Sequence, residues 1–491
     1  MLVGGASVIT VVLGIVRTKI MAVFIGSAGM GLFGTLSSIT ALAIGIAGMG
    51  LSTSGVRRIA EATGAGEQRR IERTVAALRR ITLALGIAGT LVVAVGSLFI
   101  SQATFGSAAY TASIALLSVT VLFTVLSNSQ VALVQGQRRI RDFAALSITG
   151  AMLSTGLSIP IVYFFREQGI VPFMVAGAFF TFMASWWYAR KAQVGQVALR
   201  GEEAWTEVRA LLGMGVAFMV SGLLTTGVGY LTRLMILRQA NLEAAGHFQA
   251  AWNLSTVYVG FILSAMSADY YPRLTGLAND HVALNRLVNE QTRSALLMAL
   301  PGLLATLTFA PWVIAVLYSG DFAPAGEILR WQVLGVFGRV VLWPAGYVLL
   351  AKGRAHTFML TEVATNGVHL LLLWFGLKWF SLPGLGMGFA TMYVIAGALL
   401  LPLTYRLSGF VWHADNIKLI GMAVATLAAV FLVTGKSSGL AATALGGTIT
   451  LAAAGLAARE LGRKMGFNSI ADALGSGRQR LAALLSGRAS T

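Results

Sequence analysis

Residues 326–351 read GEILRWQVLGVFGRVVLWPAGYVLLA, a run of 26 residues whose charges are Glu327, Arg330 and Arg339. A helix of that length rises about 39 Å at 1.5 Å per residue. Bilayer hydrocarbon is about 30 Å thick, so the stretch reads as a membrane span. Arg339 falls in its middle. A charge at that depth costs about 2.5–3.5 kcal/mol on insertion scales, so its side chain is expected to face protein or water and not lipid. Arg330 lies nine residues earlier, three beyond Glu327, with which it can pair along the helix.

The whole chain resembles this stretch. Of 491 residues, 56% are hydrophobic and 11% charged, less than half of what a soluble domain carries. Mean hydropathy is +0.78. The charges are lopsided, 36 Lys and Arg against 18 Asp and Glu. A net +18 is the usual footprint of a nucleic-acid binder, but in so apolar a chain it competes with a topology signal. The absence of cysteine excludes disulfides and thiolate metal sites. The 57 glycines suit close helix approach in lipid. The first apolar run continues through Ile25 without a basic leader or a processing site, and reads as a retained span.

Fourteen spans are expected, at 2–26, 31–56, 81–101, 109–134, 143–165, 169–189, 210–234, 246–270, 294–318, 326–351, 356–380, 384–406, 416–434 and 438–458. With the N-terminus in the cytoplasm, 27 basic residues fall on the cytoplasmic side and four opposite, with five inside spans. That bias is the positive-inside pattern and places both termini in the cytoplasm. Residues 459–491 form a basic cytoplasmic tail, read as a surface amphipathic helix or a frayed end.

An offset of 215 superposes the first six spans on spans seven to twelve without gaps. Gly31 meets Gly246, Arg58 meets Arg273, Arg139 meets Arg354 and Gly169 meets Gly384. Each half begins on the same side, so the repeat is parallel, with its axis along the membrane normal. The expected fold is all-α and polytopic: two six-helix lobes related by pseudo-two-fold symmetry, plus two extra C-terminal helices. The parts are 1–209 (N-terminal lobe and linker), 210–407 (C-terminal lobe), 408–458 (appendage) and 459–491 (tail). Such lobes imply a central cavity and alternating access.

The five basic residues within spans are Arg17, Lys19, Arg233, Arg330 and Arg339. Arg17 and Lys19 are two residues apart, about 200° of helix rotation, so they cannot both face one cavity squarely. Arg233, near a span end, can also snorkel. Two polar stripes accompany them. Glu362, Thr365, Asn366 and His369 share a face of span eleven, and Gln249, Asn253 and Thr256 one of span eight. Structural roles compete at each: an ion pair for the arginines or Glu362, interhelical hydrogen bonding for Asn and Gln, an ordinary packed histidine for His369. No Walker-type glycine loop, HExxH motif or nucleophile elbow occurs, so the chain reads as a transporter and not an enzyme.

Several stretches carry a family resemblance: residues 19–31, Gly50 to Glu61, Phe248-Gln249, and Tyr271-Pro272-Arg273-Leu274. The most specific is Trp331-Gln332-Val333-Leu334-Gly335 followed by Gly346-Tyr347, Ala351-Lys352 and Thr361-Glu362-Val363. Over about residues 8–405 the chain resembles the O-antigen translocases, flippases of the polysaccharide transport branch of the multidrug/oligosaccharidyl-lipid/polysaccharide (MOP) exporter superfamily. It departs from family members with acids where Val336 and Thr256 stand. Fourteen spans, and Leu13-Gly14-Ile15-Val16-Arg17, are similar instead to the lipid II flippases.

The resemblance implies a bacterial inner-membrane protein moving an undecaprenyl-diphosphate-linked glycan to the periplasmic leaflet, among membrane lipids. It also implies a polysaccharide polymerase and a chain-length regulator as partners, with no nucleic acid. No cofactor is implied, and coupling to a proton or sodium gradient is left open. The chemistry agrees, since Arg forks suit phosphate oxygens and Lys offers a compact charge. The alternatives are a lipid II-type flippase, a cation-coupled multidrug or metabolite exporter, and a non-transporting scaffold. The exporter reading is weakened because spans one to six hold no acid away from their ends.

Overall fold

A computed structural model describes residues 2–192, 194–195, 197, 201–436 and 440–464. Sixteen α-helices occur among them: α1 (Leu2–Gly48), α2 (Leu51–Gly64), α3 (Gln68–Val95), α4 (Ser97–Phe105), α5 (Thr111–Leu117), α6 (Val119–Gly136), α7 (Ile140–Phe165), α8 (Ile170–Arg190), α9 (Gly201–Gln239), α10 (Leu242–Gly276), α11 (His281–Leu317), α12 (Ala325–Ala351), α13 (Ala355–Phe380), α14 (Pro383–Ser408), α15 (Ala414–Lys436) and α16 (Leu440–Lys464). Large apolar side chains stand exposed along them, Val95 at 85% and Phe99 at 76%. That inverts a soluble surface and suits lipid as the solvent.

Eleven helical stretches among the described residues are long and apolar enough to cross a membrane, fewer than the fourteen expected. Two of the eleven are of double length, 44 and 51 residues. The first breaks at Gly26, whose φ of 63° and ψ of −169° end one helical segment and start another. The second breaks at Arg166–Gly169, between α7 and α8. The eighth expected span lies in the 35-residue helix α10, whose Gln249, Asn253 and flanking charges keep it below span-like hydropathy. The basic tail divides: Arg459, Arg463 and Lys464 continue α16, and residues 465–491 lie outside the described residues.

By contacts the chain forms two compact units. The first comprises Met1–Gln249 with Ala315–Phe322; the second comprises Ala250–Ile314 and the described residues from Ala323 onward. In the first, Leu51, Ile59, Val75, Leu78 and Leu133 pack with Val208 and Leu211 of α9. The half-buried pair Arg58–Glu207 (2.7 Å) ties α2 to α9. In the second, Tyr270, Leu274, Val288, Val348 and Phe410 form the matching core. Ile59 and Leu274, and Leu133 and Val348, are equivalent under the 215-residue offset.

The repeat is written in the backbone. Arg138 (φ 55°) and its equivalent Gly353 (φ 70°) are both left-handed. Around them the Gln137, Arg138 and Arg139 amides donate to Leu133, Gln135 and Val134, and those of Lys352, Gly353 and Arg354 donate to Val348, Leu350 and Leu349. Every partner is shifted by the same offset. Arg166 (φ 47°) and Ser381 (φ 55°) repeat the feature at the opposite helix ends. Non-glycine residues adopt such angles at a cost, so the recurrence marks an inherited loop design.

The offset also relates two helix surfaces that touch within the first unit. A Cβ on Gly31 would overlap the carbonyl oxygen of Leu242, and a Cβ on Gly246 would overlap that of Ser27. Ser27 and Leu242 are offset equivalents, as are Gly31 and Gly246. The contact is therefore isologous, as at a two-fold axis between subunits.

Candidate functional site

In the first unit three cations stand in spans. Lys19 donates from Nζ to the carbonyls of Val316 and Tyr318 (3.3 Å to Tyr318). These lie at the C-terminal end of α11, where carbonyls lack intrahelical donors and a positive charge is favourable. Arg233 donates through Nε and Nη2 to Gln249 Oε1 (3.2 and 2.6 Å) and through Nη1 to Gly229 O (2.9 Å). Gln249 itself is 8% exposed. Gly34, the offset equivalent of Gln249, leaves room for that amide, since a Cβ there would lie 2.7 Å from Oε1. Arg17 is half-buried, with no hydrogen bond or ion pair among the described residues. Of the two first-span cations, Lys19 is thus occupied by backbone and Arg17 is free.

In the second unit Arg330 donates through Nη2 to the carbonyl of Phe431 on α15 and lies over the Phe431 ring, 4.4 Å from its centroid. Trp331 meets the same ring edge-on at 4.7 Å. Arg330 therefore secures the appended helix to α12. Arg330→Ala is expected to remove a charge-assisted hydrogen bond worth about 1.5–3 kcal/mol. A lowered melting temperature of the purified protein, with expression retained, checks it.

Arg339 differs. Gly335 and Gly338 let α14 approach α12 closely: a Cβ on Gly335 would overlap Phe389, and one on Gly338 would lie 2.6 Å from Tyr393 Cβ. This brings the half-buried Tyr393 beside Arg339, while α13 contributes Glu362. Arg339 is half-buried, within electrostatic reach of Glu362, Tyr347 and Tyr393, and has no hydrogen bond or salt bridge among the described residues. A guanidinium placed mid-helix with its five donors unspent has the donor geometry that an anion's oxygens require.

The polar stripes separate similarly. Asn366 Nδ2 donates to the Glu362 backbone carbonyl (2.8 Å). His369 is 5% exposed and packs on Phe389, centroids 5.5 Å apart. Asn253 is half-buried on α10. The candidates thus resolve into Arg339 with Glu362 in the second unit, Arg17 in the first, and Lys19, Arg233 and Arg330 held by protein groups. Three aromatic residues were not anticipated as site residues: Trp343 and Tyr347, which follow Arg339 along α12, and Tyr271, whose ring meets that of Tyr347. Their signal was the spacing of Arg339, Trp343 and Tyr347, which four-residue steps align on one helix face.

Long helices with exposed apolar surfaces, eleven of them span-like among the described residues, and an internal repeat describe a polytopic membrane protein. The fold is that of the MOP superfamily. The lipid II flippase MurJ, in an inward closed conformation, matches with a TM-score of 0.69 over 94% of this chain and 98% of that one at 15% identity. An inward-facing multidrug resistance MATE family transporter of the MOP superfamily matches with 0.69 over 82% and 95% at 14%. The chain belongs to the polysaccharide biosynthesis protein family, whose pattern matches residues 20–326. Among characterised relatives, the lipid III flippases of Escherichia coli (strain K12) and Shigella flexneri are each 22% identical over 362 residues, 72% of this chain and 84% of theirs.

Proposed function

We propose that the chain is a flippase for an undecaprenyl-diphosphate-linked oligosaccharide, an O-antigen or related repeat unit, moving it from the cytoplasmic to the periplasmic leaflet of a bacterial inner membrane. The observation that carries this reading is Arg339, a half-buried arginine with unspent donors beside Glu362. An anionic lipid head group is the cargo that supplies its missing partner. Family membership and the lipid III and lipid II flippase relatives support the same cargo class.

In this reading, residues 1–209 and 210–407 are the two lobes that alternate access, and both termini are cytoplasmic. Residues 408–458 form an appended pair, giving fourteen spans. The coverage by MurJ beyond that by the MATE transporter supports the appended pair. Arg339 takes the diphosphate in bidentate fashion, as guanidinium forks do, while Glu362 and Asn366 meet water and sugar hydroxyls. The polymerase and chain-length regulator act on the delivered unit.

Deletion of the gene is expected to accumulate the lipid-linked glycan in the cytoplasmic leaflet, measured by its inaccessibility to a periplasmic glycan-specific probe in intact cells. Normal surface glycan after deletion, accompanied by drug sensitivity, would replace this reading with that of a multidrug exporter.

A further inference from the structure

Tyr271, Trp343 and Tyr347 stand together at the basic-loop end of the second unit. The Tyr347 ring lies 4.8 Å from Trp343 and 5.7 Å from Tyr271, centroid to centroid, inclined 59° to each. Tyr270 closes the group from below, 1% exposed, its hydroxyl donated to Pro344 O (2.8 Å). The other two phenols differ from it. Tyr271 is 40% exposed and Tyr347 half-buried, and neither hydroxyl has a hydrogen-bond partner among the described residues. Arg339, Trp343 and Tyr347 follow one another along a face of α12, about 12 Å from first to last at 1.5 Å per residue. Tyr347 lies within electrostatic reach of Arg339.

The repeat separates architecture from specialisation here. Residues that the fold requires recur in both halves, as Ile59 with Leu274 and Leu133 with Val348. The aromatic group does not. The offset equivalents of Tyr271, Trp343 and Tyr347 are Val56, Asn128 and Ala132; those of Arg339 and Glu362 are Thr124 and Ser147. The whole set, one cation, one carboxylate and three aromatic side chains, is present in one copy only. Trp343 and Tyr347 pack against the second core as Ala132 and Val56 join the first, so packing accounts for one side of the rings but not for the two phenols of Tyr271 and Tyr347, unpartnered among the described residues.

We propose that Tyr271, Trp343 and Tyr347 form a sugar-recognising subsite adjoining the anion site of Arg339, taking the sugar that is joined directly to the diphosphate. The inference rests on the reading in which Arg339 receives that diphosphate. Aromatic faces pack against the C–H faces of a pyranose ring, burying apolar surface at little conformational cost. The free phenols of Tyr271 and Tyr347 donate to and accept from ring hydroxyls. The subsite discriminates a glycan-loaded lipid from the bare carrier that remains after glycan transfer, and so opposes carriage of the empty carrier back inward.

The test uses the full chain in phospholipid nanodiscs and two probes: undecaprenyl diphosphate, and undecaprenyl diphosphate carrying one N-acetylglucosamine. Binding is read by native mass spectrometry. The wild type is expected to prefer the sugar-bearing probe by about tenfold, the value of one well-placed aromatic and hydrogen-bonded contact. Tyr271→Ala, at an exposed position, and Tyr347→Phe, which retains the ring, are each expected to reduce that preference, and the double variant to bring it to about twofold or less. Arg339→Ala is expected to weaken both probes together. A full preference in the double variant, or none in the wild type, overturns the subsite. Undiminished binding of both probes to Arg339→Ala overturns the diphosphate assignment instead, so the two failures are distinguishable.

Discussion

Arg339→Ala is expected to reduce translocation of the lipid-linked glycan by about ten- to a hundredfold, the range of a charge-assisted hydrogen-bond set lost from a half-buried site. Protein abundance is expected to stay normal, because no intramolecular hydrogen bond or salt bridge among the described residues is lost with the side chain. Removing Arg339 gives up its electrostatic attraction to Glu362 but also relieves the cost of placing a charge in a span, so the two effects on the folded state oppose one another. Arg339→Lys is the informative companion. It keeps the charge but replaces a planar fork by a point charge, and an intermediate rate is expected. A Lys variant equal to wild type would show that net charge suffices and that bidentate geometry plays no part. Wild-type rates for both variants, in cells and in proteoliposomes, would remove Arg339 from the site.

The contrast with the other intramembrane cations sharpens this expectation. Lys19, Arg233 and Arg330 spend donors on the carbonyls of Val316, Tyr318, Gly229 and Phe431 and on the Gln249 amide. Substituting these is expected to lower stability first and transport only as a consequence, whereas Arg339→Ala separates the two. Arg17 resembles Arg339 in having no partner among the described residues, so a transport loss without a stability loss is expected there too.

The architecture was legible because it depends on features the sequence carries directly: apolar length, basic-loop placement and a repeat at constant offset. The offset predicted which residues are equivalent, and the left-handed pairs Arg138/Gly353 and Arg166/Ser381 follow it. The span count was less legible at α10, where polar side chains dilute the hydropathy of a helix that is nonetheless 35 residues long. The cations were legible as a set, but not in their division of labour. Most of the groups that occupy Lys19, Arg233 and Arg330 are backbone carbonyls, which every residue has, so no side-chain pattern announces them. The aromatic group was hidden for a different reason. Trp343 and Tyr347 sit inside an apolar span where any large side chain satisfies the pattern, and Tyr271 comes from another helix.

The second large effect belongs to Gly31 and Gly246. A methyl group at either position would overlap a backbone carbonyl, that of Leu242 or of Ser27, which cannot rotate away as a side chain does. Relief requires the second segment of α1 and the start of α10 to move apart, and each Gly→Ala substitution is expected to destabilise the protein by about 1–3 kcal/mol or more, as overpacking does. The isologous geometry makes a sharper prediction. Because the two methyl groups wedge the same crossing, the separation that accommodates one largely accommodates the other. The double variant is therefore expected to cost less than the sum of the singles, with a coupling of about 0.5–3 kcal/mol, as for residues in direct contact. Thermal melts of wild type, Gly31→Ala, Gly246→Ala and the pair, in one detergent, give the cycle. Strict additivity would mean that the two positions are accommodated independently and that the crossing does not act as one contact. Bulkier Gly31→Val and Gly246→Val are expected to abolish translocation while the protein still reaches the membrane, since insertion depends on span hydropathy and the crossing on close backbone approach.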